Sequence, residues 1–358
     1  MNLDDTDHIM DHFFEYCFQA GPTNCSMASP SDKSSADIVA RWKAVEDHIL
    51  TSGPIPVPGN GIRAPQIITT SDIYQVVFAQ VYKPHIGFAQ LDKLLSPIAH
   101  SINSTTGINA TAFAESKHAV RTANLKAITH KPHSSCNLTA PLDLNDPECA
   151  ALFRSSFGPS SSPATSFMSI ACRDGDPEMG FDSLAAFETY HSLLQNQSQW
   201  LGDAWGVIRL GCSGWPARPA DGNGHWWPLR NIPLESQIGS NATAHPVLFV
   251  GNSYDPVTPV RNAFAMSEMF KDSSVLHVDI DGHCTLSGAS LCAAKAIRNY
   301  FQTGEVVESG TLCRPNLRPF VGDKGEGVAA VEKLDVDALT REDRVLFEAS
   351  ERCAGVAH

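Results

Sequence analysis

Two residues in this chain stand where an acid and a base could cooperate. Asp255 follows the apolar stretch Pro246-Val247-Leu248-Phe249-Val250 and lies within Gly251-Asn252-Ser253-Tyr254-Asp255-Pro256-Val257-Thr258-Pro259. His283 follows a second apolar stretch, Ser274 to Ile280, and lies within Asp281-Gly282-His283-Cys284. A carboxylate can hold one imidazole nitrogen, fix the tautomer and stabilise the imidazolium. The other nitrogen then takes a proton from a serine hydroxyl and later returns it to the leaving group. Taken singly, each residue has a plainer reading. Asp255 could do no more than cap its turn, and in a chain with 14 histidines a lone histidine is usually structural. An acid after one strand and a histidine after the next is the more specific signal.

The elements around the pair are readable from their patterning. Pro256 fixes a turn, Thr258 suits an N-cap and Pro259 suits the first helical position. Residues 259–271 carry Val260, Ala263, Phe264, Met266, Met269 and Phe270 at helical spacing, and residues 289–302 read as a further helix. Strand–helix–strand–helix predicts a parallel sheet with covering helices, and such sheets collect their functional groups at the carboxyl edge. Phe167 to Cys172 reads as a strand before the turn Arg173-Asp174-Gly175, and residues 183–202 read as helical. Upstream, residues 8–20 predict a helix with Ile9, Met10, Phe13, Phe14 and Cys17 on one side, stopped by Gly21-Pro22. Residues 35–51 predict another, and residues 70–97 a third, broken at Pro84 and Gly87. Pro54 to Pro65 reads as a connection, and residues 101–165, rich in Ser, Thr, Asn and Pro, as irregular surface structure.

The whole-chain balance excludes some classes. A net charge of −13 without any Lys/Arg run argues against nucleic acid and anionic membrane surfaces. No apolar run is long enough to predict a membrane span. The ten cysteines fall in neighbourhoods: Cys17 and Cys25, Cys136 and Cys149, Cys172 and Cys212, Cys284 and Cys292, Cys313 and Cys353. They read as up to five disulfides, with connectivity open. A zinc site would need tight spacings such as C-x₂-C, which do not occur, and no metal or other cofactor is expected. Asn-x-Ser/Thr triplets at Asn24, Asn103, Asn109, Asn137, Asn196 and Asn241 are candidate glycosylation sites. With the cysteines they favour an oxidising, secretory route. The acidic start Met1-Asn2-Leu3-Asp4-Asp5-Thr6-Asp7 is not a signal peptide.

Residues 166–320 resemble the C-terminal part of the tripeptidyl aminopeptidase-like α/β-hydrolases, secreted serine exopeptidases. The resemblance rests on Ile170-Ala171-Cys172-Arg173-Asp174, Cys212-Ser213-Gly214-Trp215-Pro216 and Pro246 to Asn252. It continues through Asp255-Pro256-Val257-Thr258-Pro259, Gly282-His283-Cys284 and Cys292-Ala293-Ala294-Lys295-Ala296. More loosely, Phe14-Glu15-Tyr16-Cys17 and Ala20-Gly21-Pro22 resemble the start of that family's cap. The resemblance implies an α/β class: the C-terminal part of an α/β-hydrolase fold plus a mostly helical cap, without the N-terminal strands. Residues 1–165 would be the cap, 166–320 the hydrolase part and 321–358 a charged tail. It implies the acid role for Asp255 and the base role for His283, in the family's chain order of serine, acid, histidine.

No Gly-x-Ser-x-Gly occurs in the sequence, so the chain is expected to carry no nucleophile of its own. Ser213, Ser253 and Ser169 are the substitutes to consider, and each has a stronger structural reading. Three functions remain. The first is a serine hydrolase that releases short peptides from N-termini or cleaves related amides and esters, inactive as this isolated chain and completed by an N-terminal polypeptide. The second is a non-catalytic remnant that binds a peptide or a partner chain. The third is a hydrolase-like protein of specialised metabolism acting on a small ester or amide.

Overall fold

In the computed structural model, the described residues are 3–105, 107–119, 168, 170–172, 183–213, 243–320, 332 and 334–355. By contact they fall into two units. One comprises Met1–Phe113, Leu194–Ala204 and Asn231–His358, and the other Ala114–Leu193 and Trp205–Arg230.

Four helices open the first unit: α1 (Thr6–Asn24), α2 (Ser35–Ser52), α3 (Thr70–Gln80) and α4 (Pro84–Ser101). A short antiparallel pair forms here: β1 (Ile55–Val57) lies within the expected connection Pro54 to Pro65, and β2 (Gln66–Ile68) directly follows it. Gly21 breaks α1 as expected, with φ 68° and ψ 176°, and one more helical turn follows. The Cys17–Cys25 disulfide closes over that break. The helices meet through aromatic edges: Phe13 packs on Phe14 and Phe88, and Trp42 on Phe14 and Trp200. Such edge-to-face pairs fix ring orientation as well as burying area. The expected break at Pro84 is the start of α4, where proline's missing N–H costs nothing.

The run Phe167 to Cys172, expected as a strand, is helical at residues 168 and 170–172. A six-residue apolar run does not itself separate strand from helix. Helices α5 (Leu184–Gln197) and α6 (Gly202–Gly211) follow, and Cys172 is bridged to Cys212.

The parallel sheet has the order β3-β4-β5, from β3 (Leu248–Tyr254), β4 (Ser274–Asp281) and β5 (Thr311–Cys313). Helix α7 (Val260–Ser267) joins β3 to β4, and α8 (Leu291–Thr303) joins β4 to β5. Leu276, Val278 and Ile280 alternate onto one face of β4, where they bury against Ala293 of α8 and Cys313 of β5. The intervening His277, Asp279 and Asp281 take the other face, as the two-residue period of a strand requires. Pairing is regular to Asn252↔Val278 and resumes at Tyr254↔Asp281, so β4 carries one extra residue at its carboxyl end. Helix α9 (Arg341–Ala354) lies in the region expected to be a charged tail, capped by Thr340 and ended by Gly355 in the left-handed conformation. It buries Phe347 and Ala354 with Ala289 and Leu291.

Two expected cysteine pairings give way to another. Cys292, in the first turn of α8, is bridged to Cys313 on β5. Packing α8 against the sheet brings these two within 5.4 Å between Cα atoms. Cys284 and Cys353 are free and exposed, so neither Cys284–Cys292 nor Cys313–Cys353 forms. Cys136 and Cys149 lie outside the described residues.

Candidate active site

Asp255 leaves the carboxyl end of β3 with its side chain only 3% exposed. Its Oδ1 accepts the backbone N–H groups of Val257 (3.0 Å) and Thr258 (2.8 Å), and its Oδ2 accepts that of Cys284 (3.1 Å). The first two bonds fold the turn after β3 around the acid, as short carboxylates do. The third ties the acid to the histidine loop. Burial, the strongest single influence, raises the carboxyl's pKa. The bonds from His283, Val257, Thr258 and Cys284 outweigh it and hold the group below its ordinary range. Asp255 is therefore an anion at neutral pH. Helix α1 braces this turn, because Thr6 Oγ1 donates to the Pro256 carbonyl at 3.1 Å. Helix α7 begins one residue later than expected, with Pro259 as its N-cap, so Thr258 belongs to the turn. Its hydroxyl is 3.4 Å from His283 Nδ1.

His283 Nδ1 sits 3.1 Å from both carboxylate oxygens of Asp255. A carboxylate accepts, so Nδ1 carries the proton and Nε2 is the nitrogen left to take one. The bond to Asp255 raises the imidazole's pKa, and burial opposes it less strongly. The ring is 37% exposed while the carboxylate is buried, so the imidazole faces outward from a fixed partner.

The loop under the ring is tightly specified. Gly282 has φ +102°, and a Cβ there would stand 2.5 Å from Pro84 Cδ and 2.7 Å from the Tyr82 carbonyl. Only glycine fits both the conformation and the approach. The Gly282 N–H donates to the Tyr254 carbonyl at 2.8 Å, and the His283 N–H donates to the Tyr82 carbonyl at 2.9 Å. The Tyr82 ring meets the imidazole edge-on, with centroids 5.4 Å apart. Burial and then the charge of Asp255 push the Tyr82 phenol up to about 12, so it stays neutral.

The other sequence candidates lie elsewhere. The Ser253 hydroxyl donates to Asp279 at 3.0 Å and is 2.8 Å from His277 Nε2, so it serves the polar face of β4 and not His283. Ser213 is exposed just after α6, and Ser169 lies outside the described residues. Asn24, Asn103, Asn109 and Asn196 are exposed, while Asn137 and Asn241 lie outside the described residues. Among the described residues no group of three or more His, Cys, Asp or Glu side chains could hold a metal ion, and no helix is long and apolar enough to cross a membrane.

Sequence reading missed two residues of the site, Tyr82 and Asn252, and a neighbouring network around Asp281. Tyr82 acts through its backbone, which no side-chain motif signals. Asn252 stands in the motif before Asp255, where its residue type alone shows no role. Asp281 accepts from His12 Nδ1 at 2.8 Å and from the Tyr16 hydroxyl at 3.0 Å, with Arg318 at 3.6 Å, partners too distant in sequence to pair by inspection.

Residues 198–313, which include Asp255 and His283, match the sequence profile of the family described as TAP-like protein, an α/β-hydrolase family. The Escherichia coli (strain K12) protein "Putative hydrolase YuaR" is 32% identical over 72 residues, which cover 20% of this chain and 14% of that protein. The chain thus matches only a small part of that relative's length. The match and the parallel sheet together support an α/β-hydrolase family for this segment.

Proposed function

We propose that this chain supplies the acid and the base of a serine hydrolase, with Asp255 as the orienting acid and His283 as the general base. The observation that carries this reading is the contact of His283 Nδ1 with both Asp255 oxygens at 3.1 Å, on adjacent parallel strands at their carboxyl ends. In the proposed reaction His283 Nε2 takes the proton of a serine hydroxyl as the serine attacks a carbonyl. The imidazolium, held by Asp255, then protonates the leaving amine or alcohol. No Gly-x-Ser-x-Gly lies in the 358 residues, so the serine is assigned to a polypeptide segment outside them. By the TAP-like resemblance the substrate is a peptide from whose N-terminus short peptides are released, or a related amide or ester. The disulfides and exposed Asn-x-Ser/Thr sites suit a secreted, glycosylated form.

A partner-binding role without catalysis has one observation in its favour. Among the described residues β3 pairs only with β4, which leaves its other edge open to a further strand.

A fluorophosphonate probe separates the readings. The 358-residue chain alone should not label; labelling abolished by a single Ser→Ala change would place the nucleophile within it. Complemented with a polypeptide carrying a Gly-x-Ser-x-Gly elbow, the assembly should label and hydrolyse short N-terminal peptide amides. An assembly that forms yet neither labels nor turns over favours partner binding.

A further inference from the structure

The backbone on both sides of His283 is in an unusual conformation. Gly282 has φ +102° and Cys284 has φ 59°, and positive φ is uncommon for a residue with a side chain. Such conformations persist only when their surroundings impose them. Asn252 is the residue that holds both. Its Nδ2 donates to the Gly282 carbonyl at 2.7 Å and to the Cys284 carbonyl at 2.8 Å, the two carbonyls that bracket His283. A longer contact of 3.3 Å reaches Ser287 Oγ, which itself donates to the Cys284 carbonyl at 2.8 Å.

The other end of this amide shows what is being used. Asn252 is buried on β3, and its Oδ1 has no hydrogen-bond partner among the described residues. A buried acceptor without a donor costs about 1–3 kcal/mol. Leucine would fill a similar volume without that cost. The side chain is thus explained by its two N–H groups and not by packing.

We propose that Asn252 is a positioning residue that sets His283 on Asp255 by gripping the histidine's two flanking carbonyls. It sits on β3, three residues before Asp255, so the acid directly follows the strand that carries the clamp on the base. The proposal rests on the acid–base reading of that pair, and its test needs no turnover. The His283 imidazole is titrated by NMR in the full 358-residue chain and in four variants. Asp255→Asn removes the partner's charge. Asn252→Leu and Asn252→Ala remove the donors, the first at nearly unchanged volume. Ser274→Ala deletes a buried strand hydroxyl that bonds the Val307 carbonyl, remote from the loop, as a control for stability loss. Both Asn252 variants should lower the His283 midpoint in the direction of Asp255→Asn, and Ser274→Ala should leave it in place. If the Asn252 variants lose stability yet keep the wild-type midpoint, the residue is merely structural and the proposal falls alone. If Asp255→Asn leaves the midpoint unmoved, the acid–base pair falls and takes the proposal with it. Should Asn252→Leu fail to fold, Asn252→Ala gives the same reading.

Discussion

Among the described residues two histidine–carboxylate pairs have a buried acid, His283–Asp255 and His12–Asp281, and the two acids are bonded in different ways. Both acids are buried, at 3% and 2% side-chain exposure, and both imidazoles offer Nδ1 to them. Asp255 spends its remaining bonds on backbone N–H groups of its own turn and of the histidine loop. Asp281 spends its own on side chains, Tyr16 at 3.0 Å and the buried Arg318 at 3.6 Å. Backbone donors hold an anion in place without answering its charge, which leaves that charge to act on His283. Side-chain partners answer the charge and tie α1 and the 318 region to β4. The contrast teaches that a short His–Asp distance is not in itself a site; how the acid's other bonds are used separates support from clamp.

The largest expected difference is in turnover. In an assembly completed with a serine elbow, His283→Gln should lower kcat about 10³-fold or more, as loss of a triad member does. His12→Gln should change it by less than about tenfold, and a comparable loss there would erase the distinction. Stability should show the reverse order. Asp281→Ala leaves Arg318 buried with only Asp279 at 3.2 Å, and should cost about 3 kcal/mol in urea unfolding. Asp255→Ala leaves part-buried backbone N–H groups that water can reach, and should cost about 1–2 kcal/mol. Equal losses would mean that Asp255 too is a clamp.

The pH dependence sharpens the comparison further. The bond to Asp255 raises His283 above 6.5 in the folded state. Burial pushes His12 down, but the bond to Asp281 and its charge outweigh that, so it too is raised. A raised histidine stabilises fully below 6.5 and ceases to as pH climbs through its folded value. Asp255 is depressed, so its contribution is present above 3.8 and disappears as pH falls through its folded value. Unfolding midpoints should therefore decline above pH 6.5, and His12→Gln and His283→Gln should each flatten part of that decline. A wild-type profile unchanged by either substitution would contradict the pKa directions. The smallest effect belongs to Thr258→Val. Its hydroxyl meets His283 only at 3.4 Å, so stability should move by no more than about 0.5 kcal/mol.

The placement of Asp255 and His283 after two neighbouring strands was legible in the sequence, and the His12–Asp281 contact was not. Asp255 and His283 each follow an apolar stretch and stand in a turn with proline or glycine, signals confined to a few neighbouring residues. Strands β3 and β4 and helices α7 and α8 were legible for the same reason. His12 and Asp281 are 269 positions apart, and nothing in either neighbourhood points to the other. The Cys292–Cys313 bridge was hidden because β5 has three residues, too few to show a period. Met168 and the residues through Cys172 read as strand because apolar character alone carries no period. Asn252 was read only as part of the stretch that leads to Asp255, because the carbonyls it serves lie some thirty positions away.

The extra residue in β4 sets the phase of the second pair of loops against the first. From Asn252 to Tyr254 the first strand advances two positions while its neighbour advances three, Val278 to Asp281. Removing one residue there would restore even stepping and shift every later residue by one place. His283 would then arrive half a repeat out of step with Asp255, and Gly282 would no longer fall where only glycine fits. The two sides of the dyad are thus kept in time by a single count, which a deletion between Val278 and Asp281 alters without touching either member.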